Sequence, residues 1–204
     1  MRNGTRFVLI GLPGSGKSMV GHVVAEHCGG VFVEEDPADF ALLSFALNPG
    51  KVAALSQIEF LLAKAQDEVA SNSRMVWQEI DTRYCHLVWS KALRRAGTID
   101  TDELGILNRM GAFLDAICPR PDAMISLELE RPELERRICR RGREHEVTEG
   151  NLDPGFGCLL KALQHEHRVF VESESVPGVP VYRVDASSSP LAIVEDVLVR
   201  TGTI

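Results

Sequence analysis

Gly11-Leu12-Pro13-Gly14-Ser15-Gly16-Lys17-Ser18 has the spacing GxxxxGK[ST], and residues of these types at this spacing suit the binding of a polyphosphate. Glycines let the backbone curl until successive N–H groups face phosphate oxygens, with the positive end of a following helix behind them. The Lys17 ammonium would reach the β- and γ-phosphates, and the Ser18 hydroxyl would offer an oxygen to Mg²⁺. An accidental Gly-rich turn would lack the flanks present here. The apolar run Phe7-Val8-Leu9-Ile10 precedes the loop, and an amphipathic stretch to about Cys28 follows it. ATP with Mg²⁺ is therefore the expected donor.

A second concentration of chemistry lies at Arg136-Arg137-Ile138-Cys139-Arg140-Arg141-Gly142-Arg143, in a chain of formal net charge -7. Guanidinium groups bind phosphate oxygens in bidentate fashion and stabilise a transferring phosphoryl group, so this segment reads as an arginine-rich lid over about 137–150 hinged at Gly142. The competing reading is a solvated helix face paired to Glu130, Glu133, Glu135, Glu144 and Glu146. Acids follow two of the apolar runs. Glu34 or Glu35 could take a proton from an acceptor hydroxyl, and Glu79, with Asp81 as its rival, could hold Mg²⁺. His165-Glu166-His167 lacks the spacing of a zinc helix and reads as surface or lid-adjacent. Trp77, Trp89 and the phenylalanines read as core.

These groups need a scaffold that brings them to one edge. Short apolar runs at 7–10, 31–33, 75–77, 123–127 and 180–184 read as strands, separated by helical stretches such as 51–70 with its stripe of Leu55, Ile58, Leu61, Leu62, Ala65 and Val69. Such alternation predicts an α/β fold of the P-loop type. It would have a five-stranded parallel sheet flanked by helices, with ligands at the carboxyl ends of the strands. No repeat or linker divides residues 1–204, so one domain is expected. The acidic balance argues against a nucleic-acid polymer as partner. No apolar run nears the ~20 residues of a membrane span, and five scattered cysteines fit a reducing cytoplasm. A guanine-reading NKxD segment is absent, which with the basic lid favours a kinase over a switch GTPase.

With these residues in view, the chain resembles the deoxynucleoside kinases, which phosphorylate a deoxynucleoside at its 5′-hydroxyl. Arg137-Ile138-x-x-Arg141-Gly142-Arg143-x-x-Glu146 is similar to that family's RIxxRGRxxE lid, with an HE-containing helix following at His165-Glu166. The resemblance implies that Arg137, Arg141 and Arg143 act on the phosphoryl group. Phe32-Val33-Glu34-Glu35 resembles the strand-two segment whose Glu before Pro is the base, which points to Glu35, with Glu34 beside it at the acceptor; here Asp36 intervenes before Pro37. Phe45 to Lys51 followed by Leu55-Ser56-Gln57 resembles the helix whose Gln reads the nucleobase, implying that role for Gln57. Val184-Asp185-Ala186-Ser187 falls where the family surrounds the donor adenine, which brings Asp185 to ATP. A homodimer is the assembly the resemblance implies.

The chain also departs from the pattern. The acid-Arg-Ser triplet after strand three aligns with Glu79-Ile80-Asp81 and loses its arginine, for which Arg83 is the expected substitute at the substrate. Ala46 stands in place of the tyrosine at the sugar 3′-hydroxyl, and Cys85 in place of a base-reading acid. A P-loop kinase of small metabolites or nucleoside monophosphates, or a nucleotide-binding protein without turnover, is the alternative reading.

Overall fold

The computed structural model describes residues 4–35, 51–70, 75–143, 146–173 and 176–203. Among them, β1 (Thr5–Ile10), β2 (Val31–Val33), β3 (Met75–Glu79), β4 (Ala123–Glu128) and β7 (Val181–Asp185) form a parallel sheet in the order β2-β3-β1-β4-β7. β1 is central because its side chains are apolar on both faces. Phe7 and Leu9 enter one core cluster, while Val8 and Ile10 enter the other. The pairing Leu9↔Glu79 brings the end of β3 level with the start of the phosphate loop.

α1 (Lys17–Cys28) and α8 (Pro190–Arg200) cover the Phe7 face with Val20, Val24, Ile193 and Val197. On the Val8 face lie α2 (Lys51–Ala70), α5 (Thr101–Ile117), α6 (Arg131–Arg141) and α7 (Pro154–Glu172). Between β3 and α5 the chain runs through α3 (Thr82–Tyr84), a π-helical turn (Cys85–Trp89) and α4 (Ser90–Arg95). A π turn widens the helix by one residue and re-aims its side chains, a device common at binding sites. Past α6, Gly142 takes the left-handed conformation at φ 70° and stops the helix, and an antiparallel hairpin of β5 (Val147–Thr148) and β6 (Asn151–Leu152) follows. All five cysteines are free thiols. No helix among the described residues is long and apolar enough to cross a membrane.

The five-stranded sheet, its central β1 and the helices at 17–28 and 51–70 agree with the expectation from sequence. One expectation on packing does not. Glu166 and His167 are buried rather than superficial: the helical period of α7 turns both inward, where Glu166 meets Arg95 at 2.7 Å and His167 bonds the Tyr84 hydroxyl at 2.8 Å and that of Ser126 at 3.1 Å. Burial pushes the His167 pKa down to about 4. Trp89 packs against the core as expected and also lines a cavity, whereas Trp77 is wholly buried. The segment from Asp36 to Gly50, with Pro37, Phe45 and Ala46, and the residue Glu144 lie outside the described residues.

Candidate active site

The phosphate loop is shaped by glycines at positive φ. Gly11 (150°) lies so close to the Leu127 carbonyl that a Cβ would stand 2.8 Å from its oxygen, and Gly14 (84°) packs its backbone against Ile138 and Leu134 of α6. Gly16 (96°) opens α1 without a side-chain cap, which leaves the helix N-terminus facing the loop. Leu12, Pro13 and Ser15 complete the turn, whose Ser15 N–H bonds the Leu12 carbonyl at 3.1 Å. The Lys17 ammonium folds back over the loop to the Leu12 carbonyl at 3.2 Å and stands 3.6 Å from Glu79.

β3 ends at Glu79, and Ile80 turns into the left-handed region at φ 56°, a strained position for a β-branched residue of the kind found beside binding sites. This turn separates two acids. Glu79 accepts from the Ser18 hydroxyl at 2.8 Å, whereas Asp81 turns back to cap α3 by accepting from the Tyr84 N–H at 2.9 Å. Geometry thus places Glu79, not Asp81, beside Ser18. A hydroxyl and a carboxylate side by side are hard oxygen donors of the kind Mg²⁺ takes alongside phosphate oxygens, so these residues fit that ion. Among the described residues no group of three His, Cys, Asp or Glu side chains is placed to hold a metal ion.

A cavity of about 110 Å³ opens next to this pair. Lys17, Ser18 and Glu79 form its phosphate end together with Pro13, and Glu35 and Gln57 enter from β2 and α2. Arg141, Arg143 and Glu146 line it from the end of α6 and the residues after it, while Phe60, Trp89, Ile80 and Leu159 give it apolar walls. Gln57 donates its amide N–H to the Cys85 carbonyl at 3.3 Å and lies 3.0 Å from the Cys85 sulfur. Cys85 is held there by the π turn, and burial raises its thiol pKa, keeping it a neutral thiol.

The basic run divides between its two readings. Arg136 pairs with Glu133 at 2.6 Å on an exposed face, as a solvated helix would. Arg137 also meets Glu133, at 2.8 Å, but its other amino group reaches the Ala186 carbonyl at 3.1 Å, over the Gly16 turn. Arg141 pairs with buried Glu146 at 2.7 Å, and Arg143 lies 4.0 Å from it, both at the cavity. Asp185 sits at the end of β7 next to that Ala186 carbonyl, where it accepts from the Ser187 N–H at 2.8 Å; that bond holds its pKa below the usual value.

Two expected site residues are placed elsewhere. Glu34, just past the end of β2, faces outward and bonds His22 at 2.9 Å, away from its neighbour Glu35 at the cavity. Arg83 turns from the cavity into a buried cluster, 3.7 Å from Glu68 and 3.5 Å from Asp81, and donates to the Asp115, Cys118 and Pro119 carbonyls at 3.1–3.3 Å. The helix direction set by the Asp81 cap points it there, away from the cavity. Phe60 and Trp89, which read as core from sequence, line the cavity, and Lys64, 3.2 Å from Glu35, was not among the expected site residues. Spacing gives no signal for Lys64, but Trp89 could have been found by projecting Cys85 one helical turn onward.

A glycine-shaped loop between a buried strand and a helix, an acid beside its serine and a five-stranded parallel sheet make up a P-loop fold. The family model for deoxynucleoside kinase matches residues 7–198, and the chain belongs to the deoxynucleoside kinase family. Among solved structures it is similar to deoxyadenosine kinase from M. mycoides with bound dATP, at a TM-score of 0.82 and 17% identity over 97% of this chain and 100% of that one. The same enzyme with bound dCTP matches at 0.77 and 16% identity over 98% and 100%, and with the products dCMP and a flexible dCDP at 0.76 and 18% over 98% and 100%. At these identities the similarity speaks for the fold. No curated protein matches the chain in sequence.

Proposed function

We propose that this kinase transfers the γ-phosphoryl group of ATP to the 5′-hydroxyl of a deoxynucleoside held in the 110 Å³ cavity. The carrying observation is that a single cavity joins the loop residues Lys17 and Ser18 to Glu35 and Gln57. Glu35 accepts the hydroxyl proton, the freed oxygen bonds the γ-phosphorus, and the bond from that phosphorus to the β,γ-bridging oxygen breaks to leave ADP. Backbone N–H groups of Gly14 to Ser18, the Lys17 ammonium and the guanidinium groups of Arg137, Arg141 and Arg143 hold the phosphate oxygens. Ser18 and Glu79 are the residues that would hold Mg²⁺, whose charge offsets that of the phosphates when it is bound. Gln57 hydrogen-bonds the base between Phe60 and Trp89, and Asp185 with Ala186 borders the donor adenine near Arg137.

The nucleotides in the related M. mycoides structures support an acceptor of this class. The free thiols are consistent with a cytoplasmic protein, and the family resemblance with a homodimer acting as one domain per chain. The test is an acceptor panel of deoxynucleosides, ribonucleosides, nucleoside monophosphates and small hydroxylated metabolites with ATP and Mg²⁺, analysed by product mass and phosphorus NMR. A deoxynucleoside 5′-monophosphate as main product is expected. Preferential turnover of monophosphates or of a metabolite would refute the assignment.

A further inference from the structure

Glu35 has little to hold it. It follows a strand of three residues at the sheet edge, and its partner Glu34 is bound outward to His22. The group that fixes it comes from α2. Lys64, with its side chain 1% exposed, places its ammonium 3.2 Å from Glu35 Oε2 and donates to the Glu79 main-chain carbonyl at 3.1 Å. Among the described residues, Lys64 is the cation paired with Glu35. An ammonium has three donors on a flexible stem, so two fixed acceptors on different strands leave it little freedom.

The second acceptor matters as much as the first. Glu79 is the residue whose side chain meets Ser18 at 2.8 Å and Lys17 at 3.6 Å. A continuous chain of contacts therefore runs Glu35, Lys64, Glu79, Ser18, from the acceptor end of the cavity to its phosphate end. Ile80, next in sequence, brings no charge, and Arg83 is committed to Glu68 and Asp81. Lys64 itself does not line the cavity, so anything it does for the reaction passes through the two groups it binds, the Glu35 carboxylate and the Glu79 main chain. Burying an ammonium is costly, and a pair at this depth is seldom favourable for stability compared with an apolar residue of similar volume. Its placement is better explained by position than by folding energy.

We infer that Lys64 is a positioning residue, which holds the Glu35 carboxylate at a fixed distance from the phosphate loop and leaves its other oxygen for the acceptor hydroxyl. This rests on Glu35 being the base. Removal of the bracket lets the carboxylate swing, and a displacement of about 1 Å at a reacting group costs on the order of 100-fold in rate.

The experiment is a double-mutant cycle of Lys64→Met and Glu35→Gln, read as kcat and as KM for ATP and for the deoxynucleoside found by the acceptor panel. Lys64→Gln, which keeps a donor for the Glu79 carbonyl, is the second variant should the methionine protein not fold. Circular dichroism and thermal melting verify folding of each. The expected result is a fall in kcat of about 10- to 100-fold for the Lys64 variants with KM for ATP within about threefold, and almost no further loss when the change is made in the Glu35→Gln protein. Full kcat in the Lys64 variants beside a crippled Glu35→Gln protein overturns the inference and leaves the base in place. An equal loss in both backgrounds also overturns it, since a general structural defect does not depend on Glu35. An unimpaired Glu35→Gln protein removes the reading of the base itself, and with it the role of Lys64.

Discussion

Glu68 and His167 give the protein two opposed pH dependences that their removal one at a time would separate. Burial, with Asp81 beside it, pushes the Glu68 pKa up to about 7, although the Thr82 N–H and hydroxyl both donate to it, at 2.7 and 2.6 Å. His167 is pushed down to about 4 by burial. For Glu68 the folded pKa lies above the unfolded value of 4.5, so between pH 4.5 and 7 the folded chain holds a proton that the unfolded chain has lost. Stability from this group falls as pH rises through that window. For His167 the folded pKa lies below the unfolded 6.5, so between pH 4 and 6.5 the unfolded chain holds the extra proton and stability rises with pH. Across pH 4.5 to 6.5 the two proton counts cancel. Glu68→Gln imitates the protonated acid and removes one arm; urea unfolding from pH 4.5 to 7 should then show variant minus wild-type stability increasing with pH. His167→Gln should show the difference decreasing between pH 4 and 6.5, by a total of about 3 kcal/mol at 1.36 kcal/mol per pH unit. Flat difference curves would refute the placement of both groups in the interior.

Two further outcomes are expected. Glu79→Ala should raise the Mg²⁺ concentration for half-maximal rate by about 10-fold or more, measured as rate against free Mg²⁺. Gly21→Ala places a Cβ 2.1 Å from the Phe32 ring at the α1–β2 contact and should cost about 1–3 kcal/mol by denaturant unfolding, with the phosphate loop intact.

Much of this fold could be read in advance because its signals are local. The β1 run, the glycine pattern after it and the 3.6-residue stripe of α1 each specify their own structure, and parallel strands gather their ends at one edge whatever the loops do. The gathering of Glu35, Glu79 and Gln57 at one cavity could be read for the same reason, since each sits at a strand end or on a helix beside one. Side-chain direction past a break in regular structure was not legible. The left-handed turn at Ile80 sends Asp81 into a cap and Arg83 into the interior, and nothing in the spacing of Glu79-Ile80-Asp81 announces that turn. The π turn that brings Cys85 and Trp89 to the cavity is likewise a tertiary outcome. Lys64 on α2 and Glu35 after β2 are far apart in sequence and meet only when α2 packs over the strand ends, so their pairing had no sequence signature.

The central claim is that Glu35 takes the proton from the acceptor as the phosphoryl group moves. Rapid-quench measurement of a single turnover, with enzyme in excess over labelled ATP and saturating deoxynucleoside, isolates that step. Glu35→Gln should slow it by about 10²- to 10⁴-fold with ATP affinity by calorimetry unchanged. A transfer rate equal to wild type would contradict the account.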